Sequence, residues 1–281
     1  MAPAPATAHA GFVLRPVERW RHGQVISEDD CIAEEVPVAM VYNGATFAVM
    51  MATPHDLDDF ALGFSLSEGL IDDPQQLLAL DQHALLEGIE LAMQVAEDAS
   101  AAHIGHERER LLPGRSGCGI CGTRELEQAI RQHPPVGVGQ PLAREALERA
   151  QQELHARQPM NEATGAVHAA AWATRDGEIV LVREDVGRHN ALDKLIGAMR
   201  RRAIDPEDGL ALVTSRASYE MVTKATSAGI TVLAAISAPT ALAIELARSA
   251  GITLVGFTRP GSHNVYSHPD RLLPAAGQDV P

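Results

Sequence analysis

Three cysteines in 281 residues are too few, and odd in number, for the disulfide scaffold of a secreted domain, so a reducing cytoplasmic setting is expected. Basic charge is also short. Lys and Arg total 23 against 37 Asp and Glu, a net charge of −14, which argues against a generic binder of nucleic acid or of acidic membranes while leaving room for local basic pockets. Aromatics make up only 4% of the chain. No apolar run is long enough for a membrane span, because the best one, 230–247, is interrupted by Ser237, Pro239 and Glu245. The opening MAPAPATAHA lacks the charged and apolar regions of a signal peptide and reads as a frayed tail; the closing PAAGQDVP reads as loose and solvated. A hydrophobic fraction of 46% with 21% charged residues is ordinary for a globular protein and speaks against disorder, collagen and coiled coil.

At roughly 150 residues per domain, the length predicts one large domain or two moderate ones. Strand-like runs at 38–42 and 46–51 flank Asn43-Gly44, a hairpin signal. Leu57, Phe60, Ala61 and Phe64 share one helical face, with Gly69 as a stop, and the helix is expected to cover a sheet. A strand at 89–96 is followed by the polar stretch 97–117, which reads as a long exposed connection. A helix over 141–157 has Pro141 in its first turn and buries Leu142, Ala146, Leu147, Ala150 and Leu154. The domain boundary is placed before it, giving 1–139 and 140–281.

Runs at 167–173 and 178–183 flank Asp176-Gly177, and Leu192, Leu195, Ile196 and Met199 return to helical spacing. Strands at 210–214, 231–236 and 252–257 alternate with helices from Ser218 and Pro239. The repeated Ser-Ala-Gly-Ile-Thr at 227–231 and 249–253 places Gly229 and Gly251 at the ends of those helices. This is a βαβαβ unit with parallel strands. The expected class is therefore α/β, with a smaller N-terminal α+β domain. In such sheets a ligand binds beyond the strand C-termini, here Ser215-Arg216-Ala217-Ser218, Ser237-Ala238-Pro239-Thr240 and Thr258-Arg259-Pro260-Gly261-Ser262.

Two segments concentrate chemistry. Cys118 and Cys121 stand three residues apart among Gly117, Gly119 and Gly122, flanked by Arg115 and Arg124. A mobile electropositive loop of this kind suits a nucleophilic thiolate. A structural zinc site completed by His103 and His106 is the competing reading, although its ligand order is the reverse of the usual one. A thioredoxin-like role would need a strand directly before the motif, and none is evident. Cys31, alone in an acidic run, reads as a stray thiol. In the second segment, Arg183-Glu184-Asp185-Val186-Gly187-Arg188-His189-Asn190, helix capping accounts for any one residue but not for so many charged groups around Gly187. The roles of His168 and His189 are not legible from sequence.

These segments form a pattern. CGICG, TGAVHAAAW, REDVGRHNALDKLIG, TSRASYEMVTKA and GFTRPGSHNVYSH, with ALGFSLSEGLI before them, resemble the FdhD family of formate dehydrogenase accessory sulfurtransferases from about Glu34 to Arg271. The resemblance implies a homodimer with a cytidine deaminase-like C-terminal domain. It implies that persulfide sulfur from a cysteine desulfurase passes to the molybdenum cofactor, whose bis(guanine dinucleotide) form is then inserted into formate dehydrogenase. Cys118 is similar to the family's essential cysteine, with Cys121 as its helper. The cofactor loop corresponds to Phe257, Thr258, Arg259, Pro260, Gly261 and Ser262, where Arg259 is the only cation. Ser215, Arg216, Ser218 and Arg188 are expected to add contacts, and GDP to act as a mimic. Deamination is excluded because His168-Ala169-Ala170 lacks the glutamate of the deaminase signature and the cysteine pair precedes the histidine. A zinc-stabilised chaperone and a thiol–disulfide oxidoreductase are the alternatives, and no stoichiometric metal is expected.

Overall fold

The computed structural model describes residues 11–106 and 134–273. The Cys118–Cys121 loop and both tails lie outside the described residues. No helix among the described residues is long and apolar enough to cross a membrane.

A two-stranded ribbon comes first, β1 (Phe12–Arg21) and β2 (Gln24–Ala33). Next, β3 (Val36–Tyr42) and β4 (Ala45–Ala52) form the expected hairpin, with Asn43 and Gly44 both at positive φ, 48° and 82°, as a tight right-twisting turn requires. With β5 (Leu77–Ala84) and β6 (Ile89–Val95) they make a sheet of order β4-β3-β6-β5. Helix α1 (Leu57–Ser67) lays Leu57, Phe60, Ala61 and Phe64 on it, packed with Met40, Tyr42, Leu91 and Met93. The stretch after β6 departs from its expected exposure. It forms a 3-10 helix, Ser100–His106, whose Ala101 is buried and donates its N–H to Leu70 O. Small alanines carry too weak a hydropathy signal to reveal that burial in a polar run.

The second sheet has the order β13-β12-β11-β10-β8-β9. Its strands are β8 (His168–Thr174), β9 (Ile179–Asp185), β10 (Gly209–Val213), β11 (Val232–Ala235), β12 (Thr253–Arg259) and β13 (Ser262–Ser267). β10, β11 and β12 are parallel, as the repeated segments require, and β8 and β13 run against them. The short strands β7 (Leu142–Ala143) and β14 (Leu272–Leu273) pair beside it. Helix α2 (Arg144–His155) covers one face through Leu147 and Leu154, and α3 (Pro159–Thr164) follows. The other face is covered by α4 (Arg188–Arg201), α5 (Tyr219–Ser227) and α6 (Ala241–Ala250). The fold is thus α/β, with two departures from the expected elements. Pro141 precedes β7 and lies outside the helix, which starts at Arg144. The third parallel strand continues to Arg259 and turns at once through Pro260-Gly261 into β13, so residues 257–262 close a hairpin.

The two sheets meet where α1 crosses α4. A Cβ on Gly63 would collide with the carbonyl of Asp193, and one on Gly197 with the carbonyl of Asp59. The helices therefore touch backbone to backbone, an approach that a larger residue at either position forbids.

Candidate functional site at the strand ends

Beneath this crossing lies a buried polar network built from the Arg183–Lys194 segment. Asp185 and Lys194 are both 0% exposed and 2.6 Å apart. Asp185 also accepts from the N–H groups of Thr53 (3.0 Å) and Gly187 (2.7 Å) and from Asn190 Nδ2 (2.9 Å). Lys194 donates to Thr53 O (3.0 Å), and Asn190 to Met51 O (2.8 Å). A second cluster joins Lys224 Nζ to Asp193 (2.9 Å), Glu68 (3.0 Å) and Ser67 Oγ (2.9 Å). Burial pushes the Asp193 carboxyl up; it also opposes the Lys224 ammonium, but Asp193 and Glu68 outweigh that and hold the lysine above its usual range. Most of this charge-rich segment therefore clamps the β4–α1 connection onto the start of α4.

The rest of the segment faces the edge of the large sheet. β8 runs antiparallel to β10, so His168 at its start lies beside Asp185 of β9 and near Thr214, whose N–H bonds Ala169 O. His168 is held below the usual imidazole range by burial, and then by the nearby Arg188. His189 Nε2 lies 3.0 Å from Glu220 Oε2, linking the first turns of α4 and α5. Arg188 Nε is buried without a hydrogen-bond partner among the described residues.

Further along the same edge, Ser215–Ala217 and Ser237–Pro239 run side by side. Ala217 bridges Pro239, Ser237 N–H reaches Ser215 O (3.4 Å) and Thr240 N–H reaches Ala217 O (3.1 Å). The first turns of α5 and α6 are thereby neighbours. Thr240 caps α6 by accepting from Ala243 N–H, whereas Ser218, in the N-cap position of α5, caps nothing with its hydroxyl. Phe257 is 44% exposed at φ 52°, and its N–H binds Ser237 O (3.2 Å). Thr258 donates to Ala235 O (3.0 Å) and the Arg259 guanidinium to Ile236 O (2.5 Å) and Thr258 O (3.0 Å). Arg216, Pro260, Gly261 and Ser262 are exposed, and Ser215 is buried with its hydroxyl on Arg216 O.

The fold thus gathers Ser215, Arg216, Ser218 and residues 257–259 at one mouth and sets Arg188 at the other end of the edge. Three helix N-termini, at Gly187, Ser218 and Thr240, point to it, an arrangement that favours anions. Among the described residues no group of three or more His, Cys, Asp or Glu is placed to hold a metal ion.

Sequence reasoning missed a second feature, a cleft of about 660 Å³ lined by His55, Asp56, Asp58, Arg183, Arg201 and Arg202, with an adjoining one of about 400 Å³. Only the cluster of acids after Thr53-Pro54 hinted at it. His55 Nδ1 bonds Asp56 (3.0 Å), and this bond raises the imidazole above its usual range. A raised histidine stabilises the fold below its unfolded pKa, and that contribution is lost as pH rises through the folded value. His55→Asn is therefore expected to lower the melting temperature more at about pH 5.5 than at about pH 8. A loss equal at both pH values would show that the Asp56 contact contributes no charge-dependent stability.

Comparison with known proteins agrees with this architecture. A crystal structure from Desulfotalea psychrophila, provisionally assigned as a formate dehydrogenase accessory protein, superposes with a TM-score of 0.71 over 93% of this chain and 99% of that one, at 22% identity, which shows a shared fold. A sulfur carrier protein FdhD from Xanthomonas euvesicatoria is 54% identical over 271 residues, 96% of each chain. Its counterpart from Cupriavidus necator is 51% identical over 269 residues, 96% of this chain and 92% of the other. The profile of the FdhD/NarQ family matches residues 33–273, and the chain belongs to that family.

Proposed function

We propose that this protein is a cytoplasmic, homodimeric sulfur carrier serving formate dehydrogenase, in which Cys118 accepts sulfur from a cysteine desulfurase and the strand-end mouth holds the molybdenum cofactor that receives it. The observation that carries the reading is the mouth itself: helix N-termini, exposed Arg216 and Arg259 and an uncommitted Ser218 hydroxyl meet at one edge of a rigid sheet, on a chain whose net charge is −14. A pterin bearing guanine nucleotides is a polyanion, and such an edge suits its phosphates.

Loading conserves electrons. The Cys118 thiolate attacks the outer sulfur of the desulfurase persulfide, a new S–S bond forms, and the desulfurase thiolate leaves. The test is mass spectrometry of the protein after incubation with a cysteine desulfurase and cysteine. One added sulfur on the Cys118 peptide supports the reading, and its absence from both cysteines removes it.

Arg259 supplies the binding test. The long-range field of an acidic protein is screened beyond about 8 Å at physiological salt, whereas a charge-assisted bond at contact distance is not. Losing such a bond costs about 1.5–3 kcal/mol, so Arg259→Ala is expected to weaken GDP binding roughly ten- to a hundredfold with the fold intact. Calorimetry that finds equal affinities would move the nucleotide away from the β12–β13 hairpin.

A further inference from the structure

The β1–β2 ribbon carries large apolar side chains that the fold does not cover. Trp20, near its tip, is 70% exposed, whereas the other tryptophan, Trp172, is 1% exposed in the core of the large sheet. The register sets Trp20 opposite Val25 and Leu14 opposite Cys31, and residues paired across an antiparallel ribbon share a face. Alternation along the strands then puts Leu14, Glu18 and Trp20 on one face with Val25 and Asp29, all of them exposed. Glu18 and Asp29 are the only charged residues of that face. The ribbon's arginines, Arg15, Arg19 and Arg21, stand on the opposite one, where Arg19 pairs with Glu28 (2.9 Å) and Asp30 (3.0 Å).

The ribbon is tied down at its base, since Glu34 N–H binds Gly11 O (2.9 Å) and a Cβ on Gly11 would collide with Met160 of α3. Its edges do not invite another strand. Pro16 has no N–H to offer, which in a ladder leaves the gap on the outer side of β1, and on β2 the Cys31 N–H is already taken by Asp30 Oδ1 (3.1 Å). Contact is therefore made by the face and not by strand addition. A second copy meeting this face about a twofold axis would set Glu18 and Asp29 against the same carboxylates, on a chain whose net charge is already −14. An apolar strip bordered by lysine or arginine is the complement of such a face.

We propose that the Leu14–Trp20–Val25 face of the ribbon is the docking surface for the protein that donates the sulfur, met through an apolar strip with a basic border, with Trp20 as its anchor. This rests on the reading of the chain as a sulfur carrier. In that chemistry the persulfide sulfur is handed from protein to protein, whereas its acceptor is a bound cofactor, so the donor is the partner whose surface has to be recognised at the sulfur step. An exposed indole supplies a large rigid contact, and the two carboxylates beside it select a basic border and reject an acidic one.

The experiment titrates the full chain, Trp20→Ala and Glu18→Lys/Asp29→Lys with a purified cysteine desulfurase by calorimetry, and follows sulfur loading by mass spectrometry. Because these side chains are exposed, all three proteins are expected to melt at the same temperature. Each variant is expected to bind the desulfurase about ten- to a hundredfold more weakly, with loading restored at saturating desulfurase, and added salt is expected to weaken the parent more than the double variant. Equal affinities in the three proteins, with loading intact, would overturn the docking surface and keep the sulfur carrier. Weaker binding by Trp20→Ala together with unchanged or tighter binding by the double variant would refute the basic border. Sedimentation that finds the parent dimeric and either variant monomeric would assign the face to a second copy instead, and a parent that neither binds the desulfurase nor is loaded by it would remove the carrier reading together with its donor.

Discussion

Replacing Lys194 by methionine is expected to destabilise the protein by about 3–5 kcal/mol, a large part of the roughly 5–15 kcal/mol that holds an ordinary domain together. The ammonium sits 2.6 Å from Asp185 with neither group exposed, so its removal leaves a carboxylate in the interior without its counter-charge. Methionine matches the lysine stem in volume, and the loss is therefore electrostatic rather than a cavity effect. The same variant also deprives Thr53 O of its donor, one of the bonds that hold the β4–α1 connection to α4. Urea denaturation measures the cost. Asp185→Asn/Lys194→Met removes both charges; with its amide oxygen in the place of Oδ1 it keeps the bonds from Gly187 N–H and Asn190 Nδ2 and loses the one from Thr53 N–H, so it is expected to recover part of the cost. A cost below about 1 kcal/mol for Lys194→Met alone would mean that the pair does not hold the two halves together.

This pair also marks where sequence stops being informative. The βαβαβ unit was legible because its apolar runs are bounded by Gly229 and Gly251, whose φ values of 78° and 79° end the preceding helices as their positions suggested. The hairpins at Asn43-Gly44 and Asp176-Gly177 were legible for similar reasons. By contrast, Lys194 in a helix reads as a solvated charge, and its partner Thr53 is 141 residues away. Nothing periodic announces such a contact. The ribbon of β1 and β2 escaped because Arg19, Glu28 and Asp30 pair across it, so its stabilising contacts include ion pairs that no hydrophobic pattern reports.

The site divides in the same way. Ser215, Arg216, Ser218 and Arg259 were placed at strand ends by counting apolar runs, and the sheet brings them to one mouth. Which hydroxyl is already spent is invisible in sequence: Thr240 caps its helix and Ser218 does not, although both are ordinary N-cap residues. His55-Asp56 was missed because a histidine beside an acid becomes informative only when Asp59 and Arg183 close the cleft behind it.

The largest effect on activity is expected at Cys118. A carrier needs one thiolate that is both nucleophile toward the donor persulfide and leaving group toward the acceptor, and alanine can be neither. Cys118→Ala should therefore abolish formate dehydrogenase activity in a complemented strain while leaving the melting temperature of the purified protein unchanged. Cys121→Ala should keep part of the activity, because a second thiol three residues away can assist or resolve a persulfide without being its carrier. The described residues offer no substitute. Cys31 is half-buried on β2 and paired across the ribbon with Leu14. Retention of activity in Cys118→Ala with loss in Cys121→Ala would reverse the two roles. Full activity in both would show that sulfur does not travel through this loop, and a coincident loss of fold and of one bound zinc per chain in Cys118→Ala would make the pair a structural metal site instead.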